Sequence, residues 1–211
     1  MRLDVTVTRR DSVVDAAGAF AAREIHIMKP NDDVLRAQVQ ALLDGGGAHA
    51  RASEVLRGFP RRWIGERPTG FAHSPWELLE HVRIAQHDIL QYCLDPRYRS
   101  PKWPQGYWPK DPRPPSGTAW TKSARAFLAD LQACKRIARD RKTDLLAALP
   151  HAKDVTWLQE LFLVADHNAY HLGQLMQLRR ALESRGSAAG LRAARARSLT
   201  GTLPPPRRRR R

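Results

Sequence analysis

The sequence is poor in cysteine and contains no long apolar run. Cys93 and Cys134 are its only cysteines, and two so far apart are expected to be reduced core residues. No apolar run approaches the roughly 18 residues that a membrane-spanning helix needs. Residues 1–20 lack the apolar centre of a signal peptide, and their acidic residues argue against a transit peptide. We therefore expect a cytoplasmic protein without membrane contact.

Most of the net charge of +15 belongs to the C-terminal tail. Residues 184–211 contain nine arginines and no acidic residue, whereas residues 28–183 contain 23 basic and 17 acidic residues. The tail has few large apolar residues and cannot offset its ordering entropy, which predicts disorder. It could contact nucleic acid weakly through phosphates, although a solvated extension is the simpler interpretation. The rest of the chain shows no nucleic-acid-binding motif.

Two amphipathic segments predict the first two helices. The first begins at Asn31 or Asp32 and runs to about Leu43, where a run of three glycines ends it. The second begins at Ser74, which forms a capping box with Glu77. Residues 1–27 form a poorly patterned leader, and Met28 (at its end) is an alternative start.

Two further segments predict the third and fourth helices. Residues 119–149 repeat apolar positions at steps of three and four, and Pro150 follows them. The last helix begins with a capping box between Thr156 and Gln159 and runs to about Glu183, with Gly186 just beyond. The predicted domain therefore covers residues 28–183.

A proline-rich connection separates the second helix from the third. Residues 94–118 contain seven prolines, which excludes a helix there. An extended connection of this length can cross a whole bundle, so helices two and three can run parallel. We predict an all-α four-helix bundle with up-down-down-up topology and a long crossover loop. Residues 103–108 of this loop could cover a site or serve as a hydrophobic plug.

Two histidines lie one turn apart in the last predicted helix. His167 and His171 are at positions i and i+4 of the apolar stretch "VADHNAYHLGQLMQL", so both imidazoles can reach one metal ion. Such pairs also occur without metal. His81, at the edge of the apolar face of the second helix, is the best third ligand. His87 lies on the polar side of that helix, and His73 could serve only if its loop folds inward. The remaining histidines are in poorly patterned or terminal segments: His26, His49 and His151.

The stretches "SPWELLEHVRIAQHDIL" and "DHNAYHLGQL" together resemble the DinB-like (damage-inducible/YfiT-type) four-helix-bundle superfamily over residues 28–183. The resemblance implies a metal site formed by His81, His167 and His171, with Gly173 and Gln174 completing an H-x-x-x-H-x-G-Q pattern. Imidazole ligands suit a divalent transition metal such as zinc, nickel or iron.

Relatives of this kind include thiol-dependent transferases and metal-dependent hydrolases or isomerases, so the resemblance implies a small-molecule substrate, such as a thiol, and a homodimer. A non-catalytic bundle, in which the metal is structural or absent, remains the alternative, because fold does not fix function.

Other residues near the predicted site have weaker interpretations. Glu77 and Glu160 could be partners of the histidines or general bases, although solvated helix carboxylates are more common. Asp166 points elsewhere on the helix and is not assigned. Tyr170 could reach the site or simply pack. Gly173 predicts close packing, because a glycine in an exposed helix costs about 1 kcal/mol relative to alanine.

Overall fold

Local sequence signals set most of the helix starts. The computed structural model describes residues 31–199, with side chains described through residue 188. The predicted leader, the alternative start at Met28 and His26 lie outside the described residues, as do residues 200–211. The elements are α1 (Asp32–Asp44), α2 (Ala52–Leu56), α3 (Pro75–Leu94), α4 (Ala119–Arg139), β1 (Ala148–Leu149), β2 (Ala152–Thr156) and α5 (Trp157–Leu199), with 3-10 turns at Arg61–Trp63 and Gln105–Tyr107.

The start of α3 is fixed by the predicted capping box. The Glu77 backbone N–H donates to Ser74 Oγ at 3.2 Å, and the Ser74 backbone N–H donates to the Glu77 carboxylate at 2.8 Å. Arg67 also forms a two-pronged ion pair with Glu77. Because two otherwise unpaired backbone donors are satisfied, the helix begins at a defined residue.

The helices share one apolar core. α3 packs against both α4 and α5, and α1 packs against the same two helices. Each large apolar side chain in the core contributes roughly 1.5–3 kcal/mol by leaving water. The most deeply buried of them are Val39, Val55, Leu79, Val82, Phe127, Leu145, Val164, Leu175 and Leu178. The predicted all-α class is confirmed, apart from one small hairpin.

The third predicted helix ends earlier than expected. α4 stops at Arg139 rather than near Leu149. Arg36 of α1 is buried, and its guanidinium donates to the carbonyl oxygens of Ala138, Asp140 and Thr143. These bonds satisfy carbonyls at and just beyond the helix end, where the helix itself offers no donor. The residues that follow form the antiparallel β1–β2 hairpin, which the sequence interpretation missed.

The last helix is longer than predicted. α5 continues to Leu199, past the expected end near Glu183. A Cβ added to Gly186 would lie 2.7 Å from Cζ2 of Trp63. Gly186 therefore allows a tryptophan to approach the helix closely and does not end it.

The described helices include none that is long and apolar enough to cross a membrane. Cys93 and Cys134 are both buried free thiols, as predicted. Burial raises the pKa of each thiol to about 12, so neither forms a thiolate near neutral pH.

Candidate metal centre

The facing surfaces of α3 and α5 bring three histidines together. One ring nitrogen from each of His81, His167 and His171 lies within 4.8 Å of the others. Nε2 of His167 is 3.2 Å from Nε2 of His81. His81 and His171 are buried, and His167 is half-buried. The structure thus joins the i,i+4 pair of α5 to one histidine of α3 across the helix interface.

Hydrogen bonds orient two of the three imidazoles. Nδ1 of His81 donates to the backbone carbonyl of Tyr107 at 3.0 Å, and Nδ1 of His171 donates to Oε1 of Gln174 at 2.8 Å. A proton held on Nδ1 leaves the lone pair on Nε2. Gln174 therefore completes the motif by fixing the tautomer of His171, as a carbonyl or carboxylate does for many metal-bound histidines.

The arrangement fits a transition metal. With metal–nitrogen bonds of about 2.0–2.1 Å, two imidazole ligands of one tetrahedral zinc ion lie about 3.3 Å apart, close to the 3.2 Å between His81 and His167. Among the described residues, Nδ1 of His167 is buried without a hydrogen-bond partner. Three imidazoles suit zinc, nickel or iron and leave at least one coordination position open.

The electrostatics of the cluster keep the imidazoles neutral. Burial lowers the pKa of His81 to about 4; the hydrogen bond to Tyr107 acts in the opposite direction, and the neighbouring His171 and His73 add smaller lowering effects. Burial and the charges of the other two histidines lower the pKa of His167 to about 4. Burial also lowers the pKa of His171, although its bond to Gln174 acts in the opposite direction. Neutral imidazoles are the form that binds a metal ion.

The proline-rich loop covers one side of the cluster with Trp108. The Trp108 ring stacks on His81, with centroids 3.9 Å apart and planes 3° apart. His73 stacks on Trp108 at 4.1 Å and 18°, so its segment does fold inward, but His73 is not among the converging ligands. Trp103 is 68% exposed and contacts the edge of Tyr107 instead. Of the loop aromatics, Trp108 is the one that shields the histidines.

A pair of carboxyl groups, Asp88 on α3 and Glu160 on α5, lies two helical turns from the histidines along the same helices. The Tyr107 hydroxyl donates to Oδ2 of Asp88 at 2.5 Å, while Oδ1 of Asp88 is buried without a partner among the described residues. Burial, reinforced by the charge of Asp88, raises the pKa of Glu160. Tyr107 therefore contacts both the histidine cluster and the carboxyl pair: its backbone carbonyl accepts from His81, and its hydroxyl donates to Asp88.

Sequence reasoning missed Asp88. The available signal was its spacing, seven residues after His81, which puts both residues on one helix face. It also missed a buried amide chain in which Asn168 donates to Gln86 at 2.7 Å and Gln86 donates to the carbonyl of Phe127 at 2.7 Å. This chain ties α5, α3 and α4 together next to the histidines.

Several other candidate residues lie away from the histidines. Burial would raise the pKa of Glu77, but its bonds to Arg67 and the Ser74 backbone lower it, so Glu77 serves the helix cap and an ion pair. His87 is exposed and donates to Asp130 at 2.9 Å. Asp166 is exposed. The other two described histidines are also outside the cluster: His49 and His151.

The predicted close packing at Gly173 is wrong. A Cβ added there would meet nothing within 4 Å, and the residue is exposed. Tyr170 is 64% exposed, but its ring contacts the edge of His171 with centroids 4.8 Å apart. Both residues line an open cavity beside the cluster.

The comparison with protein families agrees with this geometry. The family model of the DinB superfamily matches residues 47–175, a span that contains His81, His167 and His171. No curated protein and no solved structure gives a match to the chain. Since the matched span covers more than half of the sequence, the chain belongs to the DinB superfamily.

Proposed function

We propose that the protein binds one divalent transition-metal ion through His81, His167 and His171 and uses it as a metal-dependent hydrolase or a thiol-dependent transferase. The observation that carries the proposal is the convergence of three imidazole nitrogens within 4.8 Å of one another. Zinc, nickel and iron all match this donor set.

A catalytic role is favoured over a structural one by the number of ligands. Structural zinc sites are usually closed by four protein ligands, whereas catalytic sites have three and an open position. When bound, the ion would act as a Lewis acid that lowers the pKa of a water or thiol at that position.

The residues around the histidines support such chemistry. Trp108 covers one face of His81 and keeps water from it. Glu160 holds a proton to higher pH than an ordinary glutamate, because it is buried near Asp88, so it can store one close to the site. Cys93 and Cys134 remain thiols, so a reacting thiol would come from the substrate.

The topology of the bundle, the oligomeric state and the cellular location are also proposals. Packing of α3 against both α4 and α5, with a long loop between α3 and α4, supports the up-down-down-up bundle. We further propose a cytoplasmic homodimer. Size-exclusion chromatography with light scattering tests the dimer, which a monomer mass at micromolar concentration would contradict.

Elemental analysis of the purified full-length protein tests the metal site. Wild type is compared with His81→Ala, His167→Ala and His171→Ala. His87→Ala is the matched control, because His87 lies on the same helix as His81 but is exposed and paired with Asp130. We expect about one metal ion per chain in the wild type and the control, and a substoichiometric amount in the three ligand variants.

The same proteins then distinguish a catalytic from a structural metal. Each is assayed for ester and amide hydrolysis and for transfer of a thiol to an electrophile. Activity lost together with the metal supports the proposal. A metal-loaded wild type without activity in these assays would favour the non-catalytic alternative, and a wild type that takes up no zinc, nickel or iron would rule out the site.

A further inference from the structure

A cavity of about 510 Å³ opens beside the histidine cluster. It lies between the segment that leads into α3 and the exposed face of α5 that follows His171. Part of its wall is apolar, formed by Phe71, Leu78 and Tyr170. The rest is polar, with His73, Gln174 and Gln177 as the main side chains. Its volume is typical of a site for a small molecule.

The cavity and the candidate metal centre share walls. Gln174 accepts the hydrogen bond from Nδ1 of His171, and the Tyr170 ring meets the edge of His171. On the other side, His73 stacks on Trp108, which in turn stacks on His81. A molecule held in the cavity would therefore lie directly beside the histidines.

The cavity is free of charged side chains. Of the described residues, those lining it include no Lys, Arg, Asp or Glu, although the chain carries a net charge of +15. A second cavity of about 420 Å³ is quite different, because Arg61, Arg62 and Arg113 line it. An ionic group entering the uncharged cavity would lose hydration without gaining a counter-charge. The two glutamine amides can instead pair with neutral donors and acceptors.

We propose that this cavity binds the substrate, and that the substrate is an uncharged small molecule with an aromatic or other apolar body and an amide, carbonyl or hydroxyl group. The role as substrate site rests on the proposed function. The preference for an uncharged ligand rests on the lining alone.

Gly173 determines the size of the site. Its missing side chain would point into open space, with no atom within 4 Å of an added Cβ, and Gly173 lines the cavity. Glycine is a poor residue for an exposed helix interior, and here no packing contact requires it. A larger side chain at this position would extend from the cavity wall into the cavity.

Binding of three probes of similar size tests the charge preference. Benzamide, benzoate and benzylammonium are titrated into the full-length protein, as purified and after dialysis against a chelator, and followed by calorimetry or ligand-observed NMR. We expect benzamide to bind at least about tenfold more tightly than either ion to the chelated protein. Benzoate binding as tightly as benzamide there would overturn the proposal.

Variants at position 173 test the location. Gly173→Leu is expected to weaken benzamide binding at least about tenfold by filling the cavity, whereas His87→Ala, at an exposed position outside the cavity, leaves it within about threefold. Both variants are checked for native helix content by circular dichroism. If Gly173→Leu is not folded, Gln177→Trp fills the same cavity from the next turn. Unchanged benzamide affinity in the folded filling variant, or no benzamide binding by the wild type, would refute the site.

The two proposals fail in different ways. If the metal proposal is wrong, the wild type contains no metal, yet benzamide binds and Gly173→Leu weakens its binding. If the cavity proposal is wrong, the metal content is stoichiometric, but the filling variant binds benzamide like the wild type.

Discussion

Two polar layers lie at the same interface between α3 and α5 and behave in opposite ways. One contains the histidines, with His81 facing His167 at 3.2 Å. The other, two helical turns away, contains Asp88 and Glu160. Tyr107 contacts both, donating its hydroxyl to Asp88 and accepting from His81 with its carbonyl.

The difference between the layers lies in the charge that burial favours. Burial makes every ionised group less stable, so it lowers the pKa of the histidines, which favours neutral, metal-binding imidazoles, and raises the pKa of Glu160. The histidine layer is therefore prepared for a cation, whereas Glu160 in the carboxyl layer holds a proton to higher pH than an ordinary glutamate.

The largest expected effect is stabilisation by metal. Zinc at a free concentration of 100 times its Kd should raise the free energy of unfolding by about 2.7 kcal/mol, because it binds the folded state. Thermal and urea unfolding with and without zinc measure the change. His167→Ala should lose the stabilisation and the exposed control His87→Ala should keep it. An equal shift in both variants would mean that zinc binds elsewhere.

The next effect is a loss of folding stability at acidic pH. His81 and His167 have folded-state pKa values of about 4, below the ordinary value of about 6.5. The unfolded state then binds more protons between these values, so the metal-free protein loses stability as the pH falls from about 6.5 towards 4, by roughly 3 kcal/mol per histidine before solvent screening reduces it. Urea unfolding across this range measures it. In His81→Gln/His167→Gln the loss should be much smaller, and an identical pH profile would show that other groups cause it.

A smaller effect is expected from the link between the layers. Tyr107→Phe removes the hydroxyl that donates to Asp88 but keeps the carbonyl that orients His81. Loss of a hydrogen bond to a buried charged group should lower the free energy of unfolding by about 1.5 kcal/mol, with metal stoichiometry retained. Tyr92→Phe, whose ring meets His151 edge-on, is the control and should be nearly neutral. Equal losses in both variants would show that the Asp88 contact has no special weight.

The smallest effect belongs to Glu160. Its folded-state pKa is raised, so the folded protein binds the extra proton and stability falls as the pH rises through and above the ordinary glutamate value of about 4.3. Glu160→Gln should therefore be more stable than wild type near pH 8, with the difference disappearing near pH 4. Urea unfolding at both values measures it. A variant that is less stable at pH 8 would show that the carboxylate is paired there.

The sequence predicted the helix starts better than the helix ends. Ser74 and Glu77 form a cap from residues three apart in the chain, which a pattern can identify. The carbonyls at the end of α4 are bonded by Arg36, about 100 residues earlier, and Gly186 inside α5 makes room for Trp63. No local pattern contains either contact. For the same reason Gly173 and Gly186 had to be distinguished in space, because one faces a cavity and the other a tryptophan.

Helical spacing in the sequence places His167 and His171 on one face, and the family motif points to His81. Tertiary structure alone decided how they meet, which nitrogen each presents and what surrounds them. Tyr107 and Trp108 come from a proline-rich loop, and their positions follow from long-range packing. The physical reason is that spacing along a helix is local geometry, whereas burial, which sets the charge of each layer, is a property of the folded chain.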